Sequence, residues 1–144
     1  MLPPLPSRPT MAPRSPLALA LAFATSIASV ACGGDGDGSK ASADAVVAAW
    51  KAAKLDVSAM TDVDPKPYSA TACRGGTVSG VDVVVCSYGS GEDAQAAEDL
   101  GLAQIGSATG AALVRGTRLL VVADRRKVDP SGRTIDAITK AFKK

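Results

Sequence analysis

Three cysteines, one run of cations and scattered carboxylates are the residues of this chain that could do chemistry; there is no histidine. Without an imidazole, the commonest general base and the commonest metal ligand are missing. Neither a Ser-His-Asp nor a Cys-His arrangement can be assembled within the chain. Glu92, Asp93, Glu98 and Asp99 fall at the surface spacing of one short helix. That spacing supplies no cleft in which a carboxyl could be tuned for acid–base work. A hydrolase would need Asp82 or Asp124 to meet Ser, Thr or Lys in a cleft. Asp35, Asp37 and Ser39 have the opening spacing of a calcium loop, but Lys40 and Val46 occupy the glycine and glutamate positions of an EF-hand. No metal and no cofactor is implied.

Arg125, Arg126 and Lys127, flanked by Arg115, Arg118 and Arg133, form the charge cluster worth naming. One reading is a contact with anionic lipid head groups, glycan phosphates or an acidic partner such as an envelope protein; the other is a solvated loop. Residues 33–113 carry 5 basic and 11 acidic side chains, and residues 114–144 carry 9 basic and 3 acidic ones. The charge is therefore split, while its sum beyond residue 32 is zero. A neutral domain whose aromatics are Trp50, Tyr68, Tyr88 and Phe142 is a poor nucleic-acid binder.

Two of the cysteines are placed by strand register. Residues 81–85 have strong strand character, and Ser79-Gly80 is a two-residue turn signal. Folding the chain there sets Val78 opposite Val81, Thr77 opposite Asp82, Gly75 opposite Val84 and Cys73 opposite Cys86. Five steps from a hydrogen-bonded Val78–Val81 pair, the cysteines form a non-hydrogen-bonded pair, where side chains approach most closely. That suits a disulfide. A reactive or metal-binding thiol pair is the rival, but the spacing is no CxxC and histidine is absent.

The third cysteine, Cys32, ends the apolar run LALALAFATSIASVAC of residues 17–32. Arg14 supplies a basic head, and the run from 17 to 31 is shorter than the ~20 residues of a membrane-spanning helix. This is the pattern of a removed export leader. The Pro-rich residues 1–10 add nothing that export needs, so translation could begin at Met11 instead of Met1. Ser29-Val30-Ala31-Cys32 resembles the lipobox of bacterial lipoproteins, in which the cysteine is lipidated and becomes the first mature residue. Val30 and Ala31 fit the pattern; Ser29 stands where leucine is usual. The resemblance covers the leader and Cys32, not the domain behind it. It implies export, a membrane anchor at Cys32 and, with Gly33 instead of Asp at the next position, an outer-membrane location facing the periplasm. Export to an oxidising compartment in turn favours a Cys73–Cys86 bridge.

The elements expected to hold these groups divide the chain into a signal peptide (1–31), a lipidated cysteine with a flexible Gly/Ser/Asp tether (32–43) and one small domain (44–144). A helix over 44–55 carries Val46, Val47 and Trp50 on one stripe, and residues 56–69 read as irregular around Pro65 and Pro67. After the first hairpin, Ser90 caps a helix over 92–102. A second hairpin is expected around Arg115-Gly116, with strands 111–115 and 117–123. Asp129-Pro130 opens a last helix carrying Ile135, Ile138 and Phe142 on one face. The order α-ββ-α-ββ-α predicts an α+β domain: a four-stranded antiparallel sheet with helices on one face, built from a degenerate ββα repeat. The function expected is that of an envelope lipoprotein whose domain is a non-catalytic binding or accessory module. The alternative is a small secreted or periplasmic hydrolase with a carboxylate-based site.

Overall fold

A computed structural model describes residues 35–144, with side chains from residue 41 onward. The leader, Met11, the lipobox and Cys32 lie outside the described residues. The chain forms an α+β domain around one antiparallel sheet.

The first helix, α1 (Asp35–Ala52), extends N-terminally past the expected start at residue 44, so most of the segment read as a tether is helical. Ala43, Val46 and Trp50 form its buried stripe, and the Trp50 indole N–H donates to the Ile138 carbonyl at 3.1 Å. Its C-terminus closes with Lys54 N–H on Lys51 O and Leu55 N–H on Trp50 O. This is the paired bonding of a Schellman cap, with Lys54 as the left-handed residue at φ 60°.

The sheet has five strands and not four: β1 (Thr61–Val63), β2 (Ala72–Val78), β3 (Val81–Ser87), β4 (Thr109–Arg115) and β5 (Arg118–Asp124), in the order β1-β2-β3-β5-β4. The additional strand lies in the stretch read as irregular. It pairs Val63 with Cys73 and Thr61 with Gly75 before Pro65 and Pro67 end it in a single 3-10 turn, Lys66–Tyr68. A three-residue strand is too short to show a period-2 pattern, and its edge position is set by partners ten or more residues away.

The first hairpin has the expected register throughout, from Val78 opposite Val81 to Cys73 opposite Cys86. Ser79 (φ 48°) and Gly80 (φ 86°) both take positive φ, as a two-residue primed turn requires. In the second hairpin Arg115 faces Arg118, so the turn is Gly116-Thr117, one residue beyond the expected place. Gly116, at φ 58°, takes the first turn position, whereas Gly80 takes the second.

Helices cover both faces of the sheet, not one. Val81, Val83, Val85, Leu120 and Val122 pack against α1 and the last helix, α4 (Arg133–Phe142). The alternate residues Cys86, Leu119, Val121 and Ala123 pack with the α2 (Gly91–Ala96) and α3 (Glu98–Ile105) segment. The two ββα halves thus send their helices to opposite sides. The reason is legible in β5, whose residues from Leu119 to Asp124 are all buried: a strand apolar on both faces needs cover on both.

Candidate functional site

The site begins where β5 ends. Asp124 is its last residue, and the backbone then wraps around the Asp124 carboxylate: Val128 N–H donates to Oδ1 at 2.9 Å and Asp129 N–H to Oδ2 at 2.8 Å. Burial alone would push this carboxyl up. The N–H groups of Asp129, Val128, Lys127 and Arg126 together outweigh it and hold the carboxyl below its ordinary 3.8. Asp129 repeats the device one step on. It is buried, accepts the Ile135 N–H at 2.9 Å and the Ser131 hydroxyl at 3.2 Å, and so satisfies a donor in the first turn of α4. The expected helix start at Asp129-Pro130 is not what forms: α4 starts at Arg133 behind Gly132, and the Asp129 carboxylate reaches its first turn from across the loop.

Facing this loop is the turn from α3 into β4. Between the two walls, residues 104–109 on one side and Asp124, Arg125, Lys127, Asp129 and Pro130 on the other, lies a cleft of about 640 Å³. Arg125 Nη2 ties the walls together by donating to the Gln104 carbonyl at 2.8 Å. Lys127 holds a left-handed backbone at φ 57°. Ser107 and Thr109 bring hydroxyls to the opposite wall.

The cation cluster divides. Arg126 Nη2 lies 2.9 Å from Asp82 Oδ1, and Arg125 Nη1 lies 3.9 Å from Asp82 Oδ2. One carboxylate thus faces two guanidinium groups, and Lys127 adds a third positive charge. Arg115 and Arg118 do not join them. They sit at the other end of β5, where Arg115 donates to the carbonyls of Phe142 and Lys144 at 3.0 and 2.7 Å and Arg118 to Ser42 O at 3.4 Å. Six residues of strand, about 20 Å, separate Arg118 from Asp124. Arg125, Arg126 and Lys127 stand together; Arg115 and Arg118 are not with them.

Cys73 and Cys86 are joined by a disulfide, with Cα atoms 4.1 Å apart, as befits a non-hydrogen-bonded pair. The bridge is buried on the α2/α3 face beside Tyr68 and Tyr88. The Tyr88 hydroxyl donates to Tyr68 O at 2.9 Å; burial, then the neighbouring Tyr68, pushes its pKa up to about 12. Glu92, Asp93 and Asp99 are exposed. Ser90 accepts the Asp93 N–H at 3.1 Å, the expected cap. Among the described residues no group of three or more His, Cys, Asp or Glu is placed to hold a metal ion, and no helix is long and apolar enough to cross a membrane.

The sequence named Asp124 only as a possible hydrolase carboxylate. Its service to the loop was missed, although the Gly, Ser, Pro and Asp composition of residues 129–132 marks a turn around an acceptor. No family model matches the chain, and no curated protein or solved structure matches it either.

Proposed function

We propose that this chain is a bacterial envelope lipoprotein: exported, anchored through lipidated Cys32, facing the periplasm from the outer membrane, and carrying a non-catalytic binding module. The observation that carries the reading is the Cys73–Cys86 bridge. It accounts for two of three cysteines and leaves Cys32, directly behind the SVA of a lipobox-like leader. A bridged hairpin also belongs to an oxidising compartment. The acyl chains at Cys32 would bury many CH₂ groups at ~0.8 kcal/mol each, which makes such an anchor effectively permanent. The partner of the module is anionic, an envelope protein, lipid or glycan, because Arg125, Arg126 and Lys127 crowd one strand end and, among the described residues, only Asp82 forms ion pairs with them.

A second reading, a hydrolase, has one point in its favour: Asp124, Ser107, Thr109 and Lys127 line the same cleft. Against it, the Asp124 oxygens are occupied by backbone N–H groups and its carboxyl is shifted away from neutrality, opposite to the tuning a general base needs.

Metabolic labelling with a radioactive fatty acid in a bacterial host tests the anchor. The wild-type chain should take up label and pellet with membranes, and Cys32→Ser should do neither. An unlabelled wild-type protein in the soluble fraction would sink the lipoprotein reading. Turnover of generic ester or phosphoester substrates by the purified wild-type chain would favour the hydrolase.

A further inference from the structure

We infer that the cleft between the α3–β4 turn and the β5–α4 loop binds a phosphomonoester, held by Arg125 and Lys127. The inference rests on the reading of the domain as a binding module and is independent of the anchor at Cys32.

The argument is one of charge accounting within the cleft. Four ionisable groups line it: Asp124, Arg125, Lys127 and Asp129. The two carboxylates are buried, and their oxygens are occupied from within. Asp124 is wrapped by the N–H groups of its own loop, and Asp129 holds Ile135 N–H and the Ser131 hydroxyl. Their oxygens are therefore already taken by donors of their own loop, and neither carboxylate forms an ion pair with Arg125 or Lys127 among the described residues. The cations have no comparable partner. Among the described residues no carboxylate lies within ion-pair distance of Lys127. Arg125 spends one nitrogen on the Gln104 carbonyl and is 3.9 Å from Asp82, which sits closer to Arg126. Arg125 is also half exposed. The cleft therefore offers two cations that neither of its own carboxylates holds in an ion pair.

The remaining donors select the anion. Ser107 and Thr109 stand on the wall facing the cations. An anion taken between the walls meets donors from both sides, which suits a tetrahedral group with oxygens pointing in several directions better than a planar carboxylate. A guanidinium and a compact ammonium are the usual pair for such a group. The volume of about 640 Å³ far exceeds a bare phosphate and lies within the range of small-molecule sites. Beside a phosphate group the cleft has room for an organic portion, of which glycerol 3-phosphate is a minimal example. A soluble phosphate ester and the head group of an anionic lipid share this chemistry.

The test is an amide chemical-shift titration of the full-length chain bearing Cys32→Ser, with glycerol 3-phosphate as probe. Saturable shifts should concentrate on Ser107, Thr109 and residues 125–129. Lys127→Gly keeps the left-handed backbone while removing the ammonium and should weaken binding about tenfold or more. Arg125→Lys should weaken it less than Arg125→Ala, and Lys51→Ala should leave it unchanged. Vesicles containing phosphatidic acid that displace the probe from the same amides would assign the phosphate to a lipid; vesicles that do not compete would assign it to a soluble ester. No saturable shift, shifts spread over the surface, or equal affinity in folded Lys127→Gly would overturn the inference. None of these outcomes bears on lipidation at Cys32, which the fatty-acid labelling reads separately.

Discussion

The backbone N–H of Asp129 donates to Asp124 Oδ2 at 2.8 Å, and the Asp129 carboxylate in turn accepts the Ile135 N–H at 2.9 Å. Two buried acids thus form a relay that ties the end of β5 to the first turn of α4. They fix the loop between them, which carries Lys127.

Asp124→Asn should destabilise the domain and loosen this loop. The amide keeps the shape but replaces one acceptor oxygen with a donor that meets an N–H head on. The folded carboxyl lies below its ordinary 3.8, so its contribution is present above that pH and is lost as pH falls through the folded value. The stability gap between wild type and Asp124→Asn should therefore be widest near neutrality and narrow below pH 3.8. Urea midpoints measured from pH 7 to pH 2 would check this; a gap independent of pH would contradict it.

Tyr88 titrates in the opposite sense. Its phenol is buried and donates to Tyr68 O, and the pKa is raised to about 12. The stability this confers is present below pH 10 and is lost as pH rises through 12. Absorbance at about 295 nm should show phenolate appearing late, together with unfolding. Tyr88→Phe, which cannot ionise or donate, should remove the alkaline transition assigned to this site and lower stability at pH 7 by about 1 kcal/mol for the lost hydrogen bond.

The Cys73–Cys86 bridge closes a short loop within a hairpin that is already paired. Replacing both cysteines with alanine should cost about 3 kcal/mol on the chain-entropy estimate. Thiol alkylation of the native chain should label neither residue until reductant and denaturant are both present, because both are buried. Denaturant titration of Cys73→Ala/Cys86→Ala and mass spectrometry of alkylated native protein read the two outcomes. Ready labelling of both without reductant would refute the bridge.

Lys54 is the left-handed residue of the α1 cap at φ 60°. A side chain there costs about 1 kcal/mol that glycine avoids. Lys54→Gly should raise the thermal midpoint, whereas Lys54→Val should lower it; differential scanning calorimetry would rank the three. A fall with glycine would mean that the Lys54 side chain contributes something beyond its backbone.

Much of the frame was legible because it is local. Ser79-Gly80 between two apolar runs sets the first hairpin, and the hairpin sets the cysteine register. Ser90 and Asp93 announce a helix start through a bond three residues long. The same locality explains the slip at Arg115-Gly116: in a two-residue primed turn glycine serves either central position, so its place alone leaves the turn ambiguous by one. The cleft was only half legible. Arg125 and Lys127 stood out as charge, but the α3–β4 turn that faces them is some twenty residues earlier, and nothing in its composition points across the gap.

By itself the sequence determined the α+β class, the pairing of Cys73 with Cys86, the anchoring of the core on Trp50 and the cation run, since each depends on periodicity, turn chemistry or residue type within a short window. Tertiary structure alone decided the fifth strand, which helices go to which face of the sheet and the parting of Arg115 and Arg118 from Arg125. It also decided the fate of the Asp124 carboxylate. Those outcomes depend on which distant backbone arrives at a given edge, face or oxygen, and a chain's local pattern does not carry that information.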